Sequence, residues 1–195
     1  VTEASAQLGL SLKERQGALT RQLILDAAVA ELESGTLGAL TLRAVALRAN
    51  LAERTLFRYF ATRDELLDAL ADEVSRRLEL PALPATAPEL VDMPGALYGA
   101  FEKHAALIRA ALPSELFDRI RESAARARWV GVAKLVDAWA PARSARERKL
   151  VAANIRYLLS ATSWHYYRFY FRFSLEDSVA AAELAVRLAL KSLRK

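Results

Sequence analysis

Between positions 41 and 63 the sequence TLRAVALRANLAERTLFRYFATR carries five arginines, at 43, 48, 54, 58 and 63, against one acid, Glu53. A guanidinium group is planar, always charged and shaped to meet guanine O6 and N7 or phosphate oxygens with two hydrogen bonds. Arg54 and Arg58 are four apart, so on a helix they share a face. The Thr41 and Thr55 hydroxyls and the Arg63 guanidinium suit phosphates, while Tyr59 and Phe57 suit phosphate, sugar or thymine-methyl contacts. Glu53 either caps a helix start or accepts from cytosine N4. The chemistry on offer is recognition of a nucleic-acid duplex.

Two short helices and a turn are needed to hold these groups. Thr41 is suited to cap the first, in which Leu42, Val45, Ala46 and Ala49 recur at i, i+3, i+4 and i+7. Asn50 then stands where a left-handed residue turns the chain. The second helix starts after Leu51, with Leu56 and Phe60 facing inward and Arg54, Thr55, Arg58 and Tyr59 left for the other side. Helix, tight turn, helix with arginine, threonine and aromatics exposed is a helix-turn-helix pattern.

The order Thr41, Val45-Ala46, Ala49-Asn50-Leu51, Thr55-Leu56-Phe57-Arg58-Tyr59-Phe60, then Arg63 before Asp64-Glu65-Leu66-Leu67, resembles the TetR family of transcriptional regulators. Three positions depart from that pattern. Asn50 replaces a Gly, Ala52 replaces a capping Ser, and Phe57 replaces a Tyr, so the last lacks a hydroxyl for phosphate. The resemblance implies an all-α fold with an N-terminal three-helix DNA-binding domain and a C-terminal helical domain for ligand binding and dimerisation. It places Arg43 near a base edge or phosphate and Arg21 near the DNA backbone. It also implies a cavity among the middle helices, for which Tyr98, Phe101, His104, Trp129, Trp139, Tyr157 and Trp164 are candidate lining residues, with Arg156 or Arg168 available to an anionic ligand.

Around the helix-turn-helix, residues 1–18 lack strong periodicity and are expected to form a mobile arm, with Lys13 and Arg15 as basic groups in it. A first helix is expected from a Thr20 cap, with Ile24, Ala27, Ala28 and Leu32 inward and Gly35 as a left-handed C-cap. Thr62-x-x-Glu65 is a capping box opening a helix to Leu80, the expected lever between the two domains. Pro81, Pro84 and Pro88 cannot continue a helix, so the domains are placed at 19–80 and 81–195.

Further helices are predicted over Met93–Leu112, Leu116–Ala140, Arg146–Phe173 and from Ser174 to the end. The aromatic run 164–173 has strand propensity, but helical periodicity before it favours helix. The last two helices are apolar on more than one face and rich in small residues such as Ala181, Ala182, Ala185 and Ala189. They are expected to join two copies in a four-helix arrangement, with Ala182 and Val186 at the contact. A symmetric dimer would present two recognition helices to a palindrome roughly 34–36 Å apart. A small-molecule effector would act by preferring a dimer with wrongly spaced reading helices.

Composition narrows the alternatives. The 195 residues include no Cys, only two His, 61 positions apart, and 53% apolar residues. No thiolate site, no paired-histidine metal motif, no glycine-rich phosphate loop and no Gly-x-Ser-x-Gly is present, so no enzyme activity, cofactor or metal is expected. No apolar run reaches membrane-spanning length and no signal peptide pattern opens the chain, so a cytoplasmic protein is expected. Net charge is +5, yet residues 11–80 hold 10 basic against 11 acidic residues, a net of −1, while residues 81–195 hold 18 against 11, a net of +7. The nucleic-acid reading therefore rests on the local arginine patch. The competing reading is a helical interaction or structural dimer module without sequence-specific DNA binding.

Overall fold

The computed structural model describes residues 11–35, 40–120 and 126–194. All regular structure among the described residues is helical. The chain forms two compact units, one ending at Glu73 and the other beginning at Val74.

In the first unit, helix α1 spans Leu12–Ser34. Its cap, Ser11, lies nine residues before the expected Thr20 cap. Ser11 accepts from the Glu14 N–H while Glu14 accepts from the Ser11 N–H, a capping box that satisfies two backbone donors. Lys13 and Arg15 therefore lie in a capped first turn and not in an arm; the part of the expected arm before Ser11 lies outside the described residues. The Thr20 hydroxyl donates to the Gln16 carbonyl inside α1. Gly35 closes the helix with an N–H to the Leu32 carbonyl, but at φ −149° it is not left-handed.

Helices α2, Leu42–Arg48, and α3, Glu53–Tyr59, form the expected pair. Thr41 accepts from the Ala44 N–H, and Asn50 has φ 54°, the left-handed turn read from its type. Ala52 begins α3 with no side-chain cap. Ile24, Ala28, Leu32, Val45, Ala46, Leu56 and Phe60 are buried together with Leu66, Leu67 and Leu70 of α4, Arg63–Arg77. Glu65 donates its N–H to Thr62 Oγ1, but its carboxylate reaches back to the Ala61 N–H, so the box closes one residue early. The helix ends at Arg77, short of Leu80, where Glu79 turns left-handed at φ 42°.

In the second unit, a 3₁₀ turn at Pro88–Val91 leads to α5, Met93–Lys103, and α6, Ala105–Ala111. The single helix expected over 93–112 is broken at His104, whose φ −117° and ψ 29° leave helical space. Helices α7, Glu115–Ile120, and α8, Arg126–Trp139, stand in the stretch expected as one helix; Ala124, assigned to its apolar face, lies outside the described residues. Helix α9 spans Ala145–Leu158 under a Ser144–Glu147 capping box.

The long helix expected to Phe173 also divides. Ser160 is extended and accepts from the Ser163 N–H, so it starts a new helix, α10, Ala161–His165. One π-helical turn, Tyr166–Tyr170, follows, and left-handed Arg172 (φ 58°) ends it. The aromatic run is thus helical through Tyr170. Helix α11, Leu175–Ser192, opens at Ser174, which accepts from the Asp177 N–H. It packs on α9 and α5 through Ser178, Ala182, Val186 and Leu190. Ala182 and Val186 are therefore core of one chain, not the contact between two copies. No described helix is long and apolar enough to cross a membrane.

Candidate nucleic-acid interface and apolar cavity

Helix α3 is held by its apolar residues and offers the rest. Leu56 and Phe60 are fully sequestered, which fixes the rotation of the helix about its axis. Arg54 and Arg58 are then exposed, Thr55 and Tyr59 half-buried, and the Phe57 ring 46% exposed. Arg54 makes no ion pair or hydrogen bond within the described residues. The Arg58 guanidinium lies 5.4 Å from the centre of the Tyr59 ring. The Thr20 hydroxyl beside the Tyr59 phenol, and secondarily Arg58, hold that phenol below the ordinary tyrosine range. Arg63 is half-buried at the start of α4 and has interactions of its own.

The five arginines do not form one equivalent patch. Arg48 donates from Nε to Glu31 at 2.5 Å and from Nη2 to Ser34 Oγ at 3.1 Å, so it ties α2 to α1. Arg43 is 85% exposed and reaches Glu53 at 3.6 Å across the turn. That pairing gives Glu53 a role in holding the two helices, beyond the capping or base contact expected of it. Arg21 lies over the Phe60 ring at 5.0 Å. Leu47, which carried no functional reading in the sequence, is 81% exposed on α2.

The second unit contains a cavity of ≈ 90 Å³. Its wall is apolar, from Leu78, Leu97, Phe101, Ile108, Leu159 and neighbours, interrupted by Arg128 and Arg156. Of the seven aromatic or histidine candidates, only Phe101 lines it. Trp129 and Tyr157 line an adjoining, more open hollow that shares Phe117, Arg156 and Ser160 with the cavity. Tyr98 is fully buried: its hydroxyl donates to the Leu158 carbonyl at 2.8 Å and shares a second bond with Ser163 Oγ at 3.0 Å, and burial pushes its pKa up. Trp164, also fully buried, lies 5.9 Å from the Phe101 ring and donates its indole N–H to Glu102. Arg168 grips the same carboxylate with two hydrogen bonds, at 2.7 and 3.0 Å. His104 sits at the α5–α6 junction, and Trp139 packs under Arg194 at 4.4 Å.

Arg128 was not singled out by the sequence. Nothing in Arg126–Ala127–Arg128–Trp129 distinguishes a solvated arginine from a half-buried one; tertiary packing decides it. Its Nη2 donates to the Pro81 carbonyl at 2.5 Å, and desolvation pushes its pKa below the ordinary value.

The family model described as bacterial regulatory proteins, tetR family, matches residues 24–70. Among curated proteins, none matches the sequence. A TetR-like transcriptional regulator from Rhodococcus sp. RHA1 is similar in structure, with a TM-score of 0.65 and 19% identity over 89% of this chain and 97% of that one. A TetR variant from Acinetobacter baumannii AYE, in complex with minocycline, gives a TM-score of 0.53 and 16% identity over 88% of this chain and 94% of that one. The match falls on the segment that runs from α1 through the exposed arginines into α4, so residues 24–70 are a tetR-family DNA-binding domain, and the chain has the all-helical fold of TetR-like transcriptional regulators.

Proposed function

We propose that the chain is a ligand-responsive transcriptional regulator of the cytoplasm, acting as a repressor that binds a palindromic duplex as a homodimer. The observation that carries this reading is the presentation of Arg54 and Arg58 on a helix whose opposite face, Leu56 with Phe60 beyond it, is locked in the core. A helix fixed in rotation presents both guanidinium groups on one side in a set register, and each bidentate contact to a base edge discriminates by about 1–3 kcal/mol. Arg43 joins them from α2. Thr41, Thr55 and Arg63 take phosphates, with Tyr59 and Phe57 against phosphate, sugar or thymine methyl.

The exposed Leu150 and Tyr157 of α9, with Leu184 and Leu188 of α11, support pairing of two copies through the last two helices. The cavity bounded by Phe101, with Trp129 and Tyr157 in the neighbouring hollow, supports a small apolar or amphipathic effector. Such an effector shifts the population of dimers, with coupling of ~1–3 kcal/mol being typical of such proteins.

Selection of duplexes from a random pool tests the reading. A palindromic consensus is expected, with binding that weakens as salt rises because phosphate-bound cations are released. Arg58→Ala should reduce affinity for that duplex roughly 10- to 100-fold, in line with the loss of one base contact, and leave the melting temperature in place. No sequence preference at low ionic strength, without added small molecules, would overturn it.

A further inference from the structure

We infer that the cavity of the second unit takes a short aliphatic monocarboxylate, with Arg128 as its counter-charge. This deepens the effector reading above and rests on it for its regulatory meaning. Two guanidinium groups, Arg128 and Arg156, line the cavity, and none of its other lining residues among the described ones is acidic. Arg128 has no carboxylate partner among the described residues; its one hydrogen bond goes to the neutral Pro81 carbonyl. Arg156 donates from Nη1 to the Leu159 carbonyl at 3.0 Å, which holds its side chain against the same wall.

A half-buried cation with no anion among the described residues is costly, because burial removes water that one neutral carbonyl replaces only in part. The lowered pKa of Arg128 reflects that desolvation. A guanidinium carries five N–H donors in a fixed fork. One is used on Pro81, and the rest of the fork matches the two oxygens of a carboxylate. The rest of the described wall, Leu97, Phe101, Ile108 and Ala111 among others, is apolar apart from Ser160, whose hydroxyl is already engaged with the Tyr157 carbonyl and the Ser163 N–H. An apolar chain ending in one negative charge fits both parts.

Size sets the length of that chain. A 150 Å³ cavity holds benzene, so ≈ 90 Å³ suits roughly four or five non-hydrogen atoms, the size of acetate or propionate. Arg128 is itself positioned from two sides. Its bond to Pro81 draws the segment after α4 onto α8, and Gly131, one turn along, leaves room for Leu83; a Cβ there would clash with Leu83 Cδ1.

The test is calorimetric titration of the full chain, without DNA, with propionate and with the neutral isostere propionamide. Propionate is expected to bind at least tenfold more tightly, and Arg128→Met to bring it down to the amide's level while Arg128→Lys retains part of the preference. Equal binding of acid and amide, binding of neither, or a preference that survives Arg128→Met overturns the inference; the comparison of two ligands on the unaltered chain needs no variant to fold. The duplex-binding assay is read separately. Failure to bind any duplex defeats the regulatory reading and leaves the carboxylate result intact, whereas sequence-specific binding with no response of the chain to propionate defeats this inference alone.

Discussion

Arg54 and Arg128 are the same residue type in opposite surroundings. Arg54 stands on α3 exposed to water, unpaired among the described residues, on a helix pinned by Leu56. Arg128 stands half-buried on α8 at the edge of an apolar cavity, held by a backbone carbonyl. An exposed guanidinium keeps its hydration until a dense array of charges releases the counterions around that array, so it selects a polyanion and responds to salt. A desolvated one has already lost water, so it selects a single anion that sheds its own, and salt screens it far less. On the function proposed above, the two halves of the chain would separate two kinds of anion by burial, with no change in the charged group.

The largest expected effect sharpens the contrast between exposed and buried faces of one helix. Leu184 and Leu188 of α11 are 53% and 55% exposed, while Ala182 and Val186 on its other face are fully buried. Leu184→Glu with Leu188→Glu should convert a dimer to a folded monomer, seen as halved mass in light scattering with helical circular dichroism retained. An unchanged mass removes this face from the interface. A charge at Ala182 should instead unfold the chain.

A smaller effect separates core from cavity in the second unit. Tyr98→Phe leaves the Leu158 carbonyl without its donor, and should lower unfolding stability by ~1–2 kcal/mol. Duplex affinity of the folded fraction should not change. If stability is unaffected and effector binding is lost, Tyr98 is a ligand contact after all.

The smallest effect is a pH dependence. The hydrogen bond from Arg168, then that from Trp164 and the Arg168 charge, hold the Glu102 carboxyl below its ordinary value of 4.5. A depressed folded pKa means stability present above the unfolded value and lost as pH falls through the folded one. Between pH 4.5 and that lower value, Glu102→Gln should therefore flatten the acid limb of stability against pH, measured by urea unfolding. An acid limb of unaltered slope shows that solvent screening has removed the contribution of this partly exposed pair.

The reading unit was legible because its signals are local. Thr41 caps α2 with its own side chain, Asn50 takes the left-handed turn that suits its type, and Ala52 leaves α3 without a side-chain cap, as its type requires. The Ser11-x-x-Glu14 box was equally local, but it precedes a stretch without apolar period, and the start of α1 was set nine residues late at a Thr20 cap. What stayed hidden depends on contacts distant in sequence. Arg48 reads in the sequence as one more charge of the basic patch, whereas Glu31, 17 positions away, holds it. The break at Ser160 was masked because apolar spacing continues through it, and its cap reaches only a Ser163 N–H, with no acid to complete a box. The wall of the cavity brings together residues from Val74 to Ala161, and no spacing rule joins those.

Trp164 gives the second unit a means of reporting on itself. Its indole is dry, its N–H is tied to the Glu102 carboxylate, and its ring touches Phe101, one side chain from the void. Emission from such an indole changes when its hydrogen bond or its neighbour moves. With Trp129 and Trp139 replaced by Phe, the light from this single residue would follow the filling of the void in real time, with no label attached.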